Sequence, residues 1–283
     1  PFLPSSPCPP STTHHRNHYH HHHTHSPQQH CFPRHFPFHS INTPPTQTKD
    51  HDKDERFMAT QDMITELESG VTLDPLLERR VCESVLNQLD DTNADVQSVA
   101  IKCIGVLTKV VQEGQICEIV EGLAHHLLSN KTENLTDIYS IGLSCVVKGV
   151  PPQMGALLAK RLAPRLLDGI SADRSETQEI RSECLEVLKQ LLTRFGAECQ
   201  EFHENTMGTL LTQIGNDKSV VQKRATAALG VLAPHLVDHL LTRLATTLLQ
   251  RIESPSSSSS SSSSNAGGAD QVREYIQAIG RIS

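Results

Sequence analysis

Two segments of the chain, DVQSVAIKCIGVL at 95–107 and VVQKRATAALGVL at 220–232, share one pattern of apolar and small residues. Related patterns, with apolar residues at i, i+4 and i+8, recur along the chain, and this is the period of one face of an α-helix. Their central positions are Ala59, Ala100, Tyr139, Cys184, Ala225 and Tyr275, spaced by 41, 39, 45, 41 and 50 residues. Periods of about 40–47 residues are typical of HEAT and armadillo repeats.

A second helical stripe lies between successive central positions, as at Leu77, Val81, Val85 and Leu89. Because neither helix can bury its apolar face alone, neighbouring units must stack into one continuous core. The sequence therefore predicts an all-α fold, a right-handed superhelical α-solenoid of about six HEAT-type helix pairs over residues 51–283. In this solenoid Ala100 is expected where helices approach closely, and Gln97 toward solvent.

Local signals predict where several helices begin or break. Asp74 followed by Pro75 suits the first turn of a helix, and Thr92–Asp95 and Ser175–Gln178 resemble capping boxes. Pro164 lies inside a helical stripe and is expected to kink or break that helix. The first helix, near Arg56–Leu67, has no amphipathic partner within residues 1–48, so we expect its apolar side chains to be open on one side.

Two regions differ in composition from the repeats. Residues 1–50 are rich in Pro, Ser, Thr and His without a hydrophobic period, which predicts a disordered tail. The interval before Tyr275 is about ten residues too long and contains a serine run, which predicts a disordered loop at residues 254–269 between the helices of the sixth pair. Because the chain starts at Pro1 and stops inside a helical pattern, we expect it to be part of a longer protein.

Charge and cysteine usage restrict the classes of partner and compartment. The net charge is −7, and residues 49–283 carry 23 basic against 32 acidic residues, which argues against nucleic-acid binding. No run approaches the roughly 18 apolar residues of a membrane span, so no membrane partner is expected. Six of the eight cysteines lie in helical patterns without a CxxC pair, and we expect reduced core thiols. They are Cys82, Cys103, Cys117, Cys145, Cys184 and Cys199.

The sequence contains no nucleotide-binding, zinc-protease or serine-hydrolase motif, so we predict no enzyme, cofactor, catalytic residue or metal site. The run HYHHHHTH could bind Zn²⁺ or Ni²⁺, but a bare histidine run fixes neither ligand number nor geometry. His125 and His126 are adjacent and point to different sides of a helix. His235 and His239, at i and i+4, could share a metal but have no third ligand arranged beside them.

Several longer segments resemble one protein family. They are DKDERFMATQDMITEL, DDTNADVQSVAIKCIGVLTKVVQEGQICEIVEGL, LTDIYSIGLSCVV, VPPQ, VVQKRATAALGVL and REYIQAIGRIS. Together they look like the amino-terminal repeats of the cullin-associated, neddylation-dissociated proteins, collinearly from about Lys53 to Ser283. These proteins are longer HEAT solenoids that wrap around a cullin and its RING-finger partner.

The resemblance implies a non-catalytic regulator of cullin–RING ubiquitin ligase assembly. Such a regulator binds the cullin–RING complex that lacks the ubiquitin-like modifier, and it promotes exchange of substrate receptors. In the family the amino-terminal repeats meet the modifier-attachment region, and the carboxy-terminal repeats displace the receptor adaptor. The resemblance further implies a monomer in the free state and a cytoplasmic and nuclear location. It identifies no individual partner-binding residue.

Two other classes of protein remain open at this point. One is a generic HEAT scaffold of the transport-receptor or phosphatase-subunit type, which shares the repeat spacing but not the quoted segments. The other is a metal-binding or enzymatic protein that uses the His-rich tail. Retention by an unmodified cullin–RING complex would favour the family, and metal titration of residues 1–50 against 51–283 would test the tail.

Overall fold

The computed structural model describes residues 48–129, 135–172, 178–253 and 273–280. Within these ranges it contains eleven α-helices and no strand. The helices are α1 (Lys53–Glu68), α2 (Pro75–Asn87), α3 (Ala94–Val110), α4 (Glu113–Leu128), α5 (Thr136–Gly149), α6 (Gly155–Ser171), α7 (Gln178–Phe195), α8 (His203–Ile214), α9 (Ser219–Leu232), α10 (Asp238–Glu253) and α11 (273–280). The predicted serine loop at 254–269, the His-rich run and the first 47 residues of the predicted tail lie outside the described residues.

The helices form two layers. In the odd layer, α1, α3, α5, α7 and α9 each pack on the next, and in the even layer α2, α4, α6 and α8 do the same. Each of these even helices also packs on the odd helix that follows it, as α6 does on α7. Helix α10 joins the even layer through Arg243, which binds Glu204 on α8. This arrangement confirms the predicted α-solenoid of stacked helix pairs, in which the most extensive helix contacts join neighbouring units.

The central repeat positions are buried, as the spacing predicts. Ala100, Cys184 and Ala225 have no exposed surface, and Ala59, Tyr139 and Tyr275 are buried as well. Aliphatic side chains from every described repeat join around them into one continuous core. A small residue at position 100 lets α3 lie close to both α1 and α5, because a larger side chain would hold the helices apart.

Gln97 does not point to open solvent, contrary to the prediction. Its side-chain amide donates hydrogen bonds to the Leu89 carbonyl at 3.2 Å and to the Asp91 carbonyl at 2.8 Å. These bonds tie α3 to the segment that follows α2. The helical period places Gln97 away from the core, but it carries no information on where that preceding segment runs.

Two predicted helix starts lie within the described residues. Asp74 accepts from the backbone N–H groups of Leu76 and Leu77, with Pro75 at the first helical position, so this start is confirmed. The start predicted at Thr92 is wrong by one residue. Asn93 is the N-cap of α3, because its side-chain oxygen accepts from the N–H groups of the next turn. Ser175 lies outside the described residues.

The sequence predicts a kink or a break at Pro164; the break does not occur, because α6 continues from Gly155 to Ser171. Proline removes the N–H that would bond to the carbonyl four residues earlier, which belongs to Lys160. Lys160 is exposed, so water can reach that turn. Leu162 and Leu166, on either side of the proline, are buried and hold the helix against its neighbours.

The first helix is better packed than the sequence suggests. Met63 and Leu67 are buried, and Met58 is the large apolar residue of α1 that remains exposed, at 48%. Polar contacts add to this packing. The Arg56 guanidinium binds both carboxylate oxygens of Asp91 at 2.7 and 2.8 Å, and Thr60 donates to Gln88 at 2.7 Å. The expectation of an open apolar face on α1 is therefore wrong for most of its length.

Thr48, which the sequence analysis places in the tail, is buried and shares a 2.7 Å hydrogen bond with Ser84 of α2. The packed part of the chain thus includes residues before the predicted boundary at position 51. A single polar residue in a Thr- and Pro-rich stretch has no periodicity that could have indicated this contact.

Arginine side chains reach back by about one repeat at several junctions. Arg161 binds Glu121, Arg224 binds Glu183 at 2.6 Å, and Arg243 binds Glu204 at 2.7 Å. Arg194 donates to the carbonyls of Val147, at 3.0 Å, Lys148 and Val150, where α5 ends. These contacts join neighbouring repeats.

Candidate protein-binding surface

The two histidine pairs that the sequence singles out within the described residues, His125 with His126 and His235 with His239, form no shared site. His235 lies in a short turn, Ala233–His235, before α10 begins at Asp238, so it does not share a helix face with His239. Its ring packs against Gly196, where an added Cβ would overlap it. His126 stacks on Tyr139 with ring centroids 5.0 Å apart. Within the described ranges, no three His, Cys, Asp or Glu side chains are grouped as metal ligands.

The six cysteines of the helical patterns are free thiols in this structure. Four are buried, and burial raises the pKa of each of these thiols to about 12. They are Cys82, Cys103, Cys184 and Cys199. Cys117 and Cys145 are half-buried, each beside a groove described below.

Among the described helices, none alone is long and apolar enough to cross a membrane. Only Thr136–Gly149 and Pro152–Ser171 reach the required length and hydropathy, and they do so together, across a bend of 117°.

The exposed side of the odd layer contains a groove of about 640 Å³ between α1, α3 and α5, which we call the odd-layer groove. Its lining residues are Gln61, Ile64, Glu68, Lys102, Gly105, Val106, Lys109, Cys145, Lys148 and Gly149. The floor is made by apolar or small residues, and three lysines and a glutamate stand on the rim. Ile141, 45% exposed on α5, adds an apolar side chain to this side of the layer.

The repeat itself creates this groove. Glu68, Lys109 and Lys148 each follow the central position of their repeat by nine residues. Because the odd helices stack in register, equivalent positions line up across the layer. On α3, positions 102, 105, 106 and 109 have the i, i+3, i+4, i+7 spacing of one helix face. Lys109 and Lys148 both lie in the last turn of their helices, where a positive charge is favourable beside the helix dipole.

The lysines of this groove are free of protein partners. All three are exposed, and among the described contacts no carboxylate or carbonyl lies within bonding distance of their ammonium groups. Burial raises the pKa of the Cys145 thiol, and the positive charge of Lys148 offsets part of that rise. The odd-layer groove is thus a positively charged surface on a chain of net charge −7.

The even layer has a smaller groove, of about 370 Å³, between α4 and α6, which we call the even-layer groove. Its lining residues are Glu113, Gly114, Cys117, Glu118, Glu121, Leu157 and Arg161. Three of them are carboxylates, and the guanidinium of Arg161 is already bound to Glu121. Burial raises the pKa of the Cys117 thiol; Arg161 opposes that rise, and Glu121 and Glu113 add to it.

Both grooves offer an apolar floor with a charged rim, and neither brings together a nucleophile, a base and an orienting group. Such surfaces suit the binding of protein segments. No partner-binding residue is predicted from the sequence, and the groove lysines are not among the predicted site residues. One signal in the sequence could have indicated them. Lys109 and Lys148 are 39 residues apart, as are the central positions Ala100 and Tyr139, so the two lysines occupy equivalent positions of successive repeats.

Comparison with known proteins extends this description. No protein-family model matches the chain. Cullin-associated NEDD8-dissociated protein 1 of Drosophila melanogaster is 37% identical over 206 residues, which is 72% of this chain and 16% of the relative. A relative from Emericella nidulans, named "Cullin-associated NEDD8-dissociated protein 1, N-terminal part", is 26% identical and covers 78% of this chain and 74% of its own length.

Among solved structures, Kap121p matches 86% of this chain and 23% of its own length, with a TM-score of 0.54 and 14% identity. This likeness concerns the fold alone. The chain spans about a sixth of the Drosophila relative and about three quarters of the N-terminal part from Emericella. By its sequence, this chain belongs to the family of cullin-associated NEDD8-dissociated proteins.

Proposed function

We propose that this chain binds a cullin together with its RING-finger subunit, in the form that lacks the NEDD8 modifier. The supporting observation is the family relationship, because the relatives are named for both cullin association and NEDD8 dissociation. The chain acts without catalysis, as a regulator of ligase assembly. The stacked helix pairs favour this role, since they present long exposed faces to a protein partner.

The complete activity of promoting substrate-receptor exchange needs more than these repeats. The chain corresponds to 16% of the Drosophila relative. In the resembled family the adaptor-displacing repeats lie at the opposite end of the solenoid. We therefore assign the contact with the unmodified cullin–RING complex to this chain, and the exchange of receptors to the longer protein.

The decisive experiment is a comparison of two forms of one partner. The chain is immobilised and offered a purified cullin–RING complex, either unmodified or joined to NEDD8. We expect retention of the unmodified complex and at least about a tenfold weaker retention of the modified one, which corresponds to 1.4 kcal/mol. A designed armadillo protein serves as a control for the fold. Equal retention of both forms, or of neither, would refute the proposal.

A generic helical-repeat scaffold, such as a transport receptor, remains the alternative function. The likeness to Kap121p is at 14% identity and concerns the fold. A chain of that kind would not discriminate between the two forms of the cullin complex.

The free chain is proposed to be monomeric and to act in the cytoplasm and the nucleus. Light scattering at several concentrations tests the first point. Imaging of a fluorescent fusion of the full-length protein tests the second. A concentration-dependent mass would contradict the monomer, and confinement to a third compartment would contradict the location.

A further inference from the structure

The odd-layer groove carries a cluster of unpaired lysines that the proposed function does not explain. It concentrates three unpaired ammonium groups, from Lys102, Lys109 and Lys148, around one carboxylate, that of Glu68. Some other cations of the solenoid, in contrast, are bound to carboxylates of the same chain, as Arg161 is to Glu121 and Arg243 is to Glu204. The groove lysines thus retain their full capacity to bind an anionic partner.

The groove floor contains a glycine that packing does not require. Gly105 lies inside α3, and a Cβ added there would meet no atom within 4 Å. Glycine destabilises a helix interior relative to alanine, so this residue weakens α3 without making room for another part of the chain. Gly149, in the same groove, differs, because a Cβ there would overlap Thr108. The space above Gly105 is open to a partner, and a glycine allows that partner's backbone to approach closely.

The remaining floor residues add an apolar requirement. Val106 and Cys145 are half-buried, and Ile64 lies buried beneath them. An occupant that satisfies both the floor and the rim must present an apolar side chain between acidic ones. From this geometry we infer that the odd-layer groove binds a short acidic peptide segment of a partner protein, with at least one apolar side chain seated over Gly105.

A nucleic acid fits the groove less well. The positive surface covers α3 and α5 and ends at α7, where the positions equivalent to Lys102 and Lys109 are Glu186 and Thr193. Lys189 lies on the same stripe but is bound to Glu186, so no free cation on this stripe continues the surface. A polyphosphate chain that extended past two repeats would meet carboxylates on a chain of net charge −7. A short acidic peptide avoids them.

The test uses the whole chain and defined probes, none of which contains a cullin sequence. The first probe is a fluorescein-labelled peptide of glutamates around two leucines. Its two matched forms carry glutamine for glutamate, or alanine for leucine, and a single-stranded oligothymidine of similar charge serves as the polyphosphate. Binding is measured by fluorescence anisotropy at low and at physiological salt. Of the four probes, we expect only the acidic peptide with leucines to bind tightly, and we expect its binding to be weaker at physiological salt than at low salt.

Two triple variants with the same change in net charge locate the site. Lys102→Glu, Lys109→Glu and Lys148→Glu together should weaken binding of the acidic peptide by at least about tenfold, since three favourable charge pairs become repulsive. Lys160→Glu, Lys218→Glu and Lys223→Glu together should leave binding within about twofold, because these lysines are exposed elsewhere. Equal losses in the two variants would overturn the inference, and so would oligothymidine binding that is as tight and equally dependent on the groove lysines.

A further variant tests the floor of the odd-layer groove without changing the net charge. Gly105→Leu should weaken binding of the acidic peptide several-fold and leave the melting temperature the same or higher, because leucine favours the helix. Unchanged peptide binding by this variant would show that no occupant lies over Gly105, and would refute the inference. The cullin proposal would stand in either case, since its own test uses the cullin–RING complex.

Discussion

The odd-layer and even-layer grooves are both gaps between successive helices of one layer, yet their rims differ in the sign and the pairing of their charges. In the even-layer groove, the cation Arg161 is bound to Glu121 of the preceding repeat and the other charged residues are carboxylates. In the odd-layer groove, three lysines stand without partners around Glu68. One repeat architecture thus supports two surfaces with different chemistry.

This difference in charge pairing separates the contacts that hold neighbouring repeats together from the side chains that remain available to a partner. In the odd layer, the polar contacts that join α5, α7 and α9 do not use the side chains of the groove lysines. Glu183 accepts from Ser140 and from Arg224, both at 2.6 Å, and so connects α5, α7 and α9. Arg194 binds the carbonyls at the end of α5. None of these contacts uses the ammonium group of a groove lysine, so we expect the groove lysines to contribute little to stability.

The largest effect is expected from a change beneath the odd-layer groove. Ala100→Glu should lower the free energy of unfolding by more than about 3 kcal/mol, because a carboxylate would be overpacked and desolvated between α1 and α5. Ser98→Glu, at an exposed position of the same helix, should change it by less than about 0.5 kcal/mol. Urea denaturation of both variants measures this. Similar losses would mean that the assignment of the buried face of α3 is wrong.

Arginines of the two layers should differ in their contribution to stability. Arg194→Met should lower the free energy of unfolding by about 1–2 kcal/mol, because up to three carbonyls at the end of α5 lose a charged donor. Arg161→Met breaks an exposed ion pair and should lower it by less than about 0.5 kcal/mol. Denaturation midpoints at unchanged slope give both values. A larger loss from Arg161→Met would reverse the comparison.

Acid should weaken the attachment of α1 to the segment between α2 and α3, which contains Asp91. Burial alone would raise the pKa of Asp91, but hydrogen bonds from Arg56 and from the Asn93 N–H outweigh it and lower that pKa. A lowered folded-state pKa contributes stability that is present above the unfolded carboxyl pKa of about 3.9 and is lost as pH falls through the folded value.

Asp91→Asn should therefore destabilise the chain at neutral pH, and its difference from the wild type should shrink below pH about 4. Asp217→Asn, which changes an exposed loop carboxylate, serves as the control and should show no such trend. Thermal melts across this pH range make the comparison. A deficit of Asp91→Asn that stays constant with pH would show that the carboxylate charge is not responsible.

The smallest effect concerns the two groove thiols. Lys148→Met removes the charge that lowers the pKa of Cys145, so less thiolate forms and maleimide labelling of Cys145 should slow by about twofold. Labelling of Cys117, followed in the same sample by mass spectrometry, should not change. Equal slowing at both thiols would indicate a global effect and contradict a local field in the odd-layer groove.

Much of the architecture was determined by the sequence alone, because helical periodicity and repeat spacing are local and recur. The six central positions, the order of the helices and the start of α2 after Asp74 follow from the printed residues and agree with the structure. The family also follows from short segments of sequence. In each case the information lies within a few turns of helix.

Contacts between side chains of different repeats depend on the tertiary structure. Gln97 donates to carbonyls of the segment before α3, Thr48 binds Ser84, and α6 continues through Pro164 because its flanking leucines are buried. The odd-layer groove exists because stacking brings Lys148 of one repeat beside Lys109 of the previous one. Periodicity assigns each residue to a face of its own helix. The distance between two faces depends on how the helices pack, and that packing is a property of the whole chain.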